Sequence, residues 1–120
     1  MRLKNVLITV ENLERSKKFY KDLFGLDVIL EKEGNAILTE GLVLQDKNVW
    51  KSVVGGNVLH KNNASVLYFE EKEIEKFAER LGAYEMPVEY IGSLVQHPWG
   101  RKTIRFYDPD GNLIEVGTPG

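Results

Sequence analysis

One order of elements occurs twice in this 120-residue chain, and that repetition constrains the fold more than any single motif. Residues 4–10, KNVLITV, place Val6, Ile8 and Val10 on one side of a strand and Asn5, Leu7 and Thr9 on the other. Asn12 is a candidate N-cap for a helix running to about Phe24, and Gly25 supplies its stop. LDVILEKEG, NAILTEG and LVLQD then read as three strands separated by glycine turns. After a polar connection over residues 47–63 the order returns. ASVLYFE is a strand, and EKEIEKFAERLG is a helix with Ile74, Phe77, Ala78 and Leu81 on one stripe. PVEYIGSLV, KTIRFYD and NLIEVG are three further strands.

A shift of 61 residues sets Asn5 on Val66 and Leu13 on Ile74. The closing hairpins correspond as well, since Gly41 is followed by LVLQ and Gly111 by NLIE, which makes Gln45 the counterpart of Glu115. The expected fold class is α+β, with two βαβββ modules in tandem, 1–62 and 63–120, within a single domain.

The second hairpin carries the most local information. Asp108-Pro109-Asp110-Gly111 has turn chemistry at each position, with Pro109 presetting φ and Gly111 tolerating positive φ. Ile104 and Phe106 share one face of the strand before the turn, and Thr103, Arg105 and Tyr107 the other; beyond it Leu113 shares a face with Glu115. On this pattern alone Glu115 is either a solvated strand glutamate or a group presented to a ligand.

Charge and composition narrow the function classes. Sixteen basic and eighteen acidic side chains leave a formal charge of −2, which speaks against a nucleic-acid footprint. There is no cysteine, so disulfides and thiolate metal sites are excluded. No segment reads as a signal peptide or a bilayer span, so a cytoplasmic location and no membrane partner are expected.

The pair of segments TVENLERSKKFYKDLFGL and PWGRKTIRFYDPDGNLIEV resembles the vicinal oxygen chelate superfamily, which includes glyoxalase I, extradiol dioxygenases and bleomycin-resistance proteins. The resemblance covers essentially the whole chain. It implies paired modules whose curved, mostly antiparallel sheets form a ligand cup with the helices on the outer face, often in homodimers. Metal-dependent members use four cup-facing positions, which by motif fall on Asn5, Gln45, Val66 and Glu115. Only Glu115 carries a side chain those members would use. Valine has no lone pair to offer, and neutral amide oxygens suit transition metals poorly. The two histidines, His60 and His97, fall on none of the four positions. No metal site and no cofactor are therefore expected.

The resemblance leaves a cup that binds an unknown small molecule, with Asn5, Gln45, Val66, Tyr68, Trp99, Arg105 and Tyr107 as the expected ligand-binding residues. Pro98-Trp99-Gly100 is similar to a segment that lines the drug cleft of bleomycin-resistance proteins; packing in a core or an interface is the alternative for Trp99. Trp50 is read either as part of a loop over the cup or as interface packing. Arg105 has three possible places: against Glu115, against an anionic ligand, or in solvent. The alternative function is a lyase, isomerase or dioxygenase of the glyoxalase I type, with Glu115 as candidate catalytic base in a carboxylate-only site.

Overall fold

The computed structural model describes all residues from Met1 to Gly120, which form two compact units, Met1–Leu59 and His60–Gly120. In the first unit, strand β1 (Val6–Val10) leads into helix α1 (Leu13–Phe24). The Asn12 side chain accepts a hydrogen bond from the Arg15 amide at 3.0 Å, and Gly25 ends the helix in the left-handed region at φ 68°. Replacing Asn12 with alanine is expected to lower stability by about 1 kcal/mol, read as a shift in the urea midpoint. Strands β2 (Val28–Lys32), β3 (Asn35–Leu38) and β4 (Leu42–Asp46) follow. The sheet order is β1-β4-β3-β2, with β1 parallel to β4 and the other pairings antiparallel.

Helix α1 covers one side of this sheet. Phe19, Tyr20 and Leu23 are buried together with Ile8, Val10, Ala36, Leu38 and Leu44. The Phe19 and Tyr20 rings meet edge-on, 5.1 Å apart, the arrangement the aromatic quadrupole favours. Val6, predicted to share the core face, is half exposed at the start of β1.

One prediction for this unit needs correction. The segment expected to be a polar connection begins with helix α2 (Lys47–Val54). Asp46 caps it by accepting from the Asn48 and Val49 amides at 2.8 and 3.1 Å, and Gly55 closes it at φ 68°. None of its residues is fully buried, and Trp50 is only partly covered. The connection from Gly55 to Ala64 is irregular.

The second unit repeats the plan. Strand β5 (Leu67–Glu70) and helix α3 (Ile74–Gly82) begin 61 residues after β1 and α1, matching the shift expected from the sequence. Strands β8 (Lys102–Tyr107) and β9 (Leu113–Gly117) flank the Asp-Pro-Asp-Gly turn. PVEYIGSLV, expected to be one strand, is two short ones, β6 (Glu89–Tyr90) and β7 (Val95–Gln96), interrupted around Gly92 at φ 72°. Both pair with β8. The sheet order is β5-β9-β8-β6, with β5 parallel to β9. Each sheet is mostly antiparallel, as expected, with one parallel pair joining its first and last strands. Ile74, Phe77 and Leu81 of α3 are buried with Ile104, Phe106, Ile114 and Val116, which leaves the opposite face of the sheet for polar side chains.

Candidate functional site

The turn that presents Glu115 is built around Asp108, which is buried. Its Oδ1 accepts from the Asp110 and Asn112 amides at 2.8 and 2.9 Å, and its Oδ2 from the Asn112 side chain at 2.9 Å. The Gly111 amide donates to the Asp108 carbonyl at 3.1 Å and closes the turn. Gly111 is favoured by its backbone conformation, and an exposed side chain rests against it. Its φ is 82°, and the His60 imidazole packs where a Cβ would stand, with Cε1 only 2.5 Å away. His60 is therefore a packing residue beside the turn.

Beyond the turn, the register sets Tyr68 opposite Glu115 on one side and Arg105 opposite Glu115 on the other. These three side chains form a row across β5, β9 and β8, on the face away from α3. The Arg105 Nε–H donates to Glu115 Oε1 at 2.6 Å, a charge-assisted bond. The second carboxylate oxygen, Oε2, lies 3.9 Å from Arg101 Nη2. The Arg101 guanidinium also stacks over the Tyr68 ring, 5.0 Å from its centroid. The Glu115 side chain is 18% exposed, that of Arg101 28% and that of Arg105 42%.

Arg101 was absent from the expected site, although residues 101, 103, 105 and 107 share one strand parity. It lies just before β8, where the preceding PWG segment reads as a loop. Gly117 is a second missed contributor. A Cβ on it would run into the Tyr68 hydroxyl and stand 2.8 Å from Arg101 Nη2, so both groups converge over this glycine.

The remaining expected residues fall elsewhere. Tyr107 is buried at the far end of β8, where its hydroxyl donates to Asn63 Oδ1 at 2.8 Å and Lys61 stacks on its ring. Trp99 is 69% exposed and stacks on the His97 imidazole at 4.7 Å with 9° between the planes, so it closes no core. His97 is in turn tied to the buried Thr103 through Nε2 and Oγ1 at 3.0 Å. Val66 precedes β5 and is half exposed, and Asn5 likewise precedes β1.

Gln45 is buried within β4, opposite Thr9 and Asn35 in a polar row of the first unit. The Asn35 amide oxygen in that row is buried with no hydrogen-bond partner. The registers also correct the expected match between the hairpins. With Leu7 and Tyr68 equivalent, their partners are Val43 and Glu115, so Gln45 corresponds to Gly117 rather than to Glu115. The two hairpins have turns of different build, which a count from the glycine overlooks.

A metal does not suit this donor set. No group of three or more His, Asp or Glu side chains is arranged to hold a metal ion, and Glu115 already faces two guanidinium groups. In the first unit a cleft of about 560 Å³ lies between α1 and β2. Its ammonium groups are matched by carboxylates: Lys17 by Glu14 and Glu31, Lys18 by Asp22, and Lys21 by Asp27. The Glu14 and Glu31 bonds hold the Lys17 pKa above the ordinary lysine value.

Two βαβββ units, each with its helix on one sheet face and a polar row on the other, define the class of fold. The chain belongs to the Glyoxalase-like domain family, whose model matches residues 3–119. Among characterised proteins it is similar to a metallothiol transferase FosB of Staphylococcus epidermidis, with 25% identity over 114 residues covering 95% of this chain and 79% of that protein. Among solved structures it is similar to a protein of unknown function from Agrobacterium tumefaciens, at 28% identity and a TM-score of 0.82, covering 100% and 95% of the two chains. A lactoylglutathione lyase from the same species aligns at 25% identity and a TM-score of 0.74, covering 98% and 92%. No helix is long and apolar enough to cross a membrane.

Proposed function

We propose that this chain binds a small molecule without a transition metal, on the sheet face that carries Tyr68, Arg105 and Glu115. The observation behind this reading is the condition of Glu115, whose oxygens face Arg105 at 2.6 Å and Arg101 at 3.9 Å. A cation entering there would meet two fixed positive charges and one carboxylate. Val66, the other expected ligand position in this unit, adds no charge to offset them.

Trp99, exposed and two residues before Arg101, is the natural reporter even though it makes no contact with the row itself. Compounds that bind are expected to change its fluorescence equally in EDTA and in the presence of Mn²⁺, Ni²⁺ or Zn²⁺. A screen in which every hit needed one of these ions would overturn the reading. A homodimer belongs to the same proposal. Val28, Ile29 and Leu30 of β2 and Val53 and Val54 of α2 are exposed apolar side chains that a partner would cover.

The names of the relatives favour a second reading, an enzyme of the transferase or lyase kind. Glu115 would then be its general base, taking a proton from substrate. Under that reading Glu115→Gln abolishes turnover with the fold unchanged.

A further inference from the structure

The inference that follows rests on the metal-free reading of this face and names the chemistry of its ligand. We infer that the ligand is an organic oxyanion (a carboxylate, phosphonate or phosphate ester) held by Arg101 and Arg105, with the Tyr68 hydroxyl as a third donor.

Charge and donor supply lead to the same class of ligand. In the row of Tyr68, Glu115 and Arg105 together with Arg101, two permanent cations face one carboxylate, so a single anionic group could be held without displacing Glu115. Glu115 occupies Arg105 through Nε alone, so the terminal amino groups of that guanidinium have no protein partner. They form the end-on fork that matches the two oxygens of a carboxylate or phosphonate.

Arg101 stands 3.9 Å from Glu115, beyond hydrogen-bond range, and its side chain is otherwise held by stacking on Tyr68. Its N–H groups therefore remain available to a ligand. The Tyr68 hydroxyl also has no hydrogen-bond partner and lies with Arg101 Nη2 over Gly117. Three unspent donor groups thus gather around one carboxylate. Glu70 lies one step further along the face, opposite Gly117. A cationic ligand would instead have to displace two arginines from the only carboxylate in the row. Glu115 is in this arrangement a positioning residue, which fixes the Arg105 side chain and leaves its outer edge for the ligand.

The test uses phenylphosphonate, benzoate and the neutral benzamide as probes, titrated in EDTA-treated buffer while NMR follows the signals of Tyr68, Arg101 and Arg105. The two anions are expected to bind at least about tenfold more tightly than benzamide, and Arg105→Gln and Arg101→Gln are each expected to weaken the anions by about tenfold or more. Glu115→Gln is expected to tighten them several-fold by releasing its hold on the guanidinium groups. Unchanged urea midpoints would show that the variants fold. Equal binding of benzamide at the same signals would overturn the oxyanion assignment and leave the metal-free site standing. Binding of any probe only after a divalent metal is added would overturn the metal-free reading itself. No response of these signals to any probe, with or without metal, would overturn the oxyanion site.

Discussion

Phe106→Ala is expected to lower the stability of the protein by about 3–5 kcal/mol, the range for removing a fully buried phenylalanine. Phe106 has no exposed surface, faces Ile114 and Tyr90 in neighbouring strands, and lies 6.0 Å from the Phe77 ring of α3. The loss is large against a typical total of about 5–15 kcal/mol, so the urea midpoint falls steeply. Arg105 is the preceding residue on the same strand and points to the opposite face. Its replacement by glutamine is expected to cost about 1 kcal/mol or less, because its one ion pair is partly exposed. If the arginine variant proved the less stable of the two, the assignment of core and ligand faces on β8 would be wrong.

Gly117→Ala is expected to be the variant most damaging to the polar face. The backbone of Gly117 is not left-handed, so alanine meets no φ penalty, and the whole effect comes from its methyl group. That methyl would collide with the Tyr68 hydroxyl and stand 2.8 Å from Arg101 Nη2. Both groups are the ends of flexible, partly exposed side chains that can swing aside, so the cost is at the low end for overpacking, about 1 kcal/mol. Arg101 would also be displaced from its place beside Glu115, which weakens oxyanion probes without a change at any donor. Tyr68→Phe removes the colliding oxygen and leaves ring carbon Cζ at 3.1 Å, a contact that small shifts relieve. The double variant is therefore expected to recover stability, with a coupling of about 0.5–1 kcal/mol in a double-mutant cycle. Additive effects would mean that the glycine does not set the position of the tyrosine.

The repeat was legible because period-two alternation, a helical stripe and glycine stops recur at a fixed shift. β5 and α3 begin 61 residues after β1 and α1. Helix α2 was hidden because its valines are β-branched and it lies in a polar stretch. Its signals were Asp46 before it, Gly55 after it, and Val49 and Val53 one helical turn apart. The row of Tyr68, Arg105 and Glu115 combined two kinds of reading. Parity placed Arg105 and Glu115, while the resemblance to a known family supplied Tyr68. Parity could not show that β5 pairs with β9 in a register that brings Tyr68 to Glu115, since a parallel pairing between distant strands leaves no turn to count from. Arg101 and Gly117 escaped for the same reason, because their importance comes from how close Tyr68 lies to Gly117.

The strand order of the second unit has a consequence for biosynthesis. β9 is its final strand in sequence yet sits between β5 and β8. An emerging chain that has made β5, α3 and β8 still lacks the strand that joins them, and only the pairings of β6 and β7 with β8 can form early. During that interval Ile104, Phe106 and Phe77 have no Ile114 or Val116 to cover them, and non-local closure of this kind is slow. The same late strand brings Glu115. The polar face and the apolar core of this unit are therefore completed together when β9 is inserted.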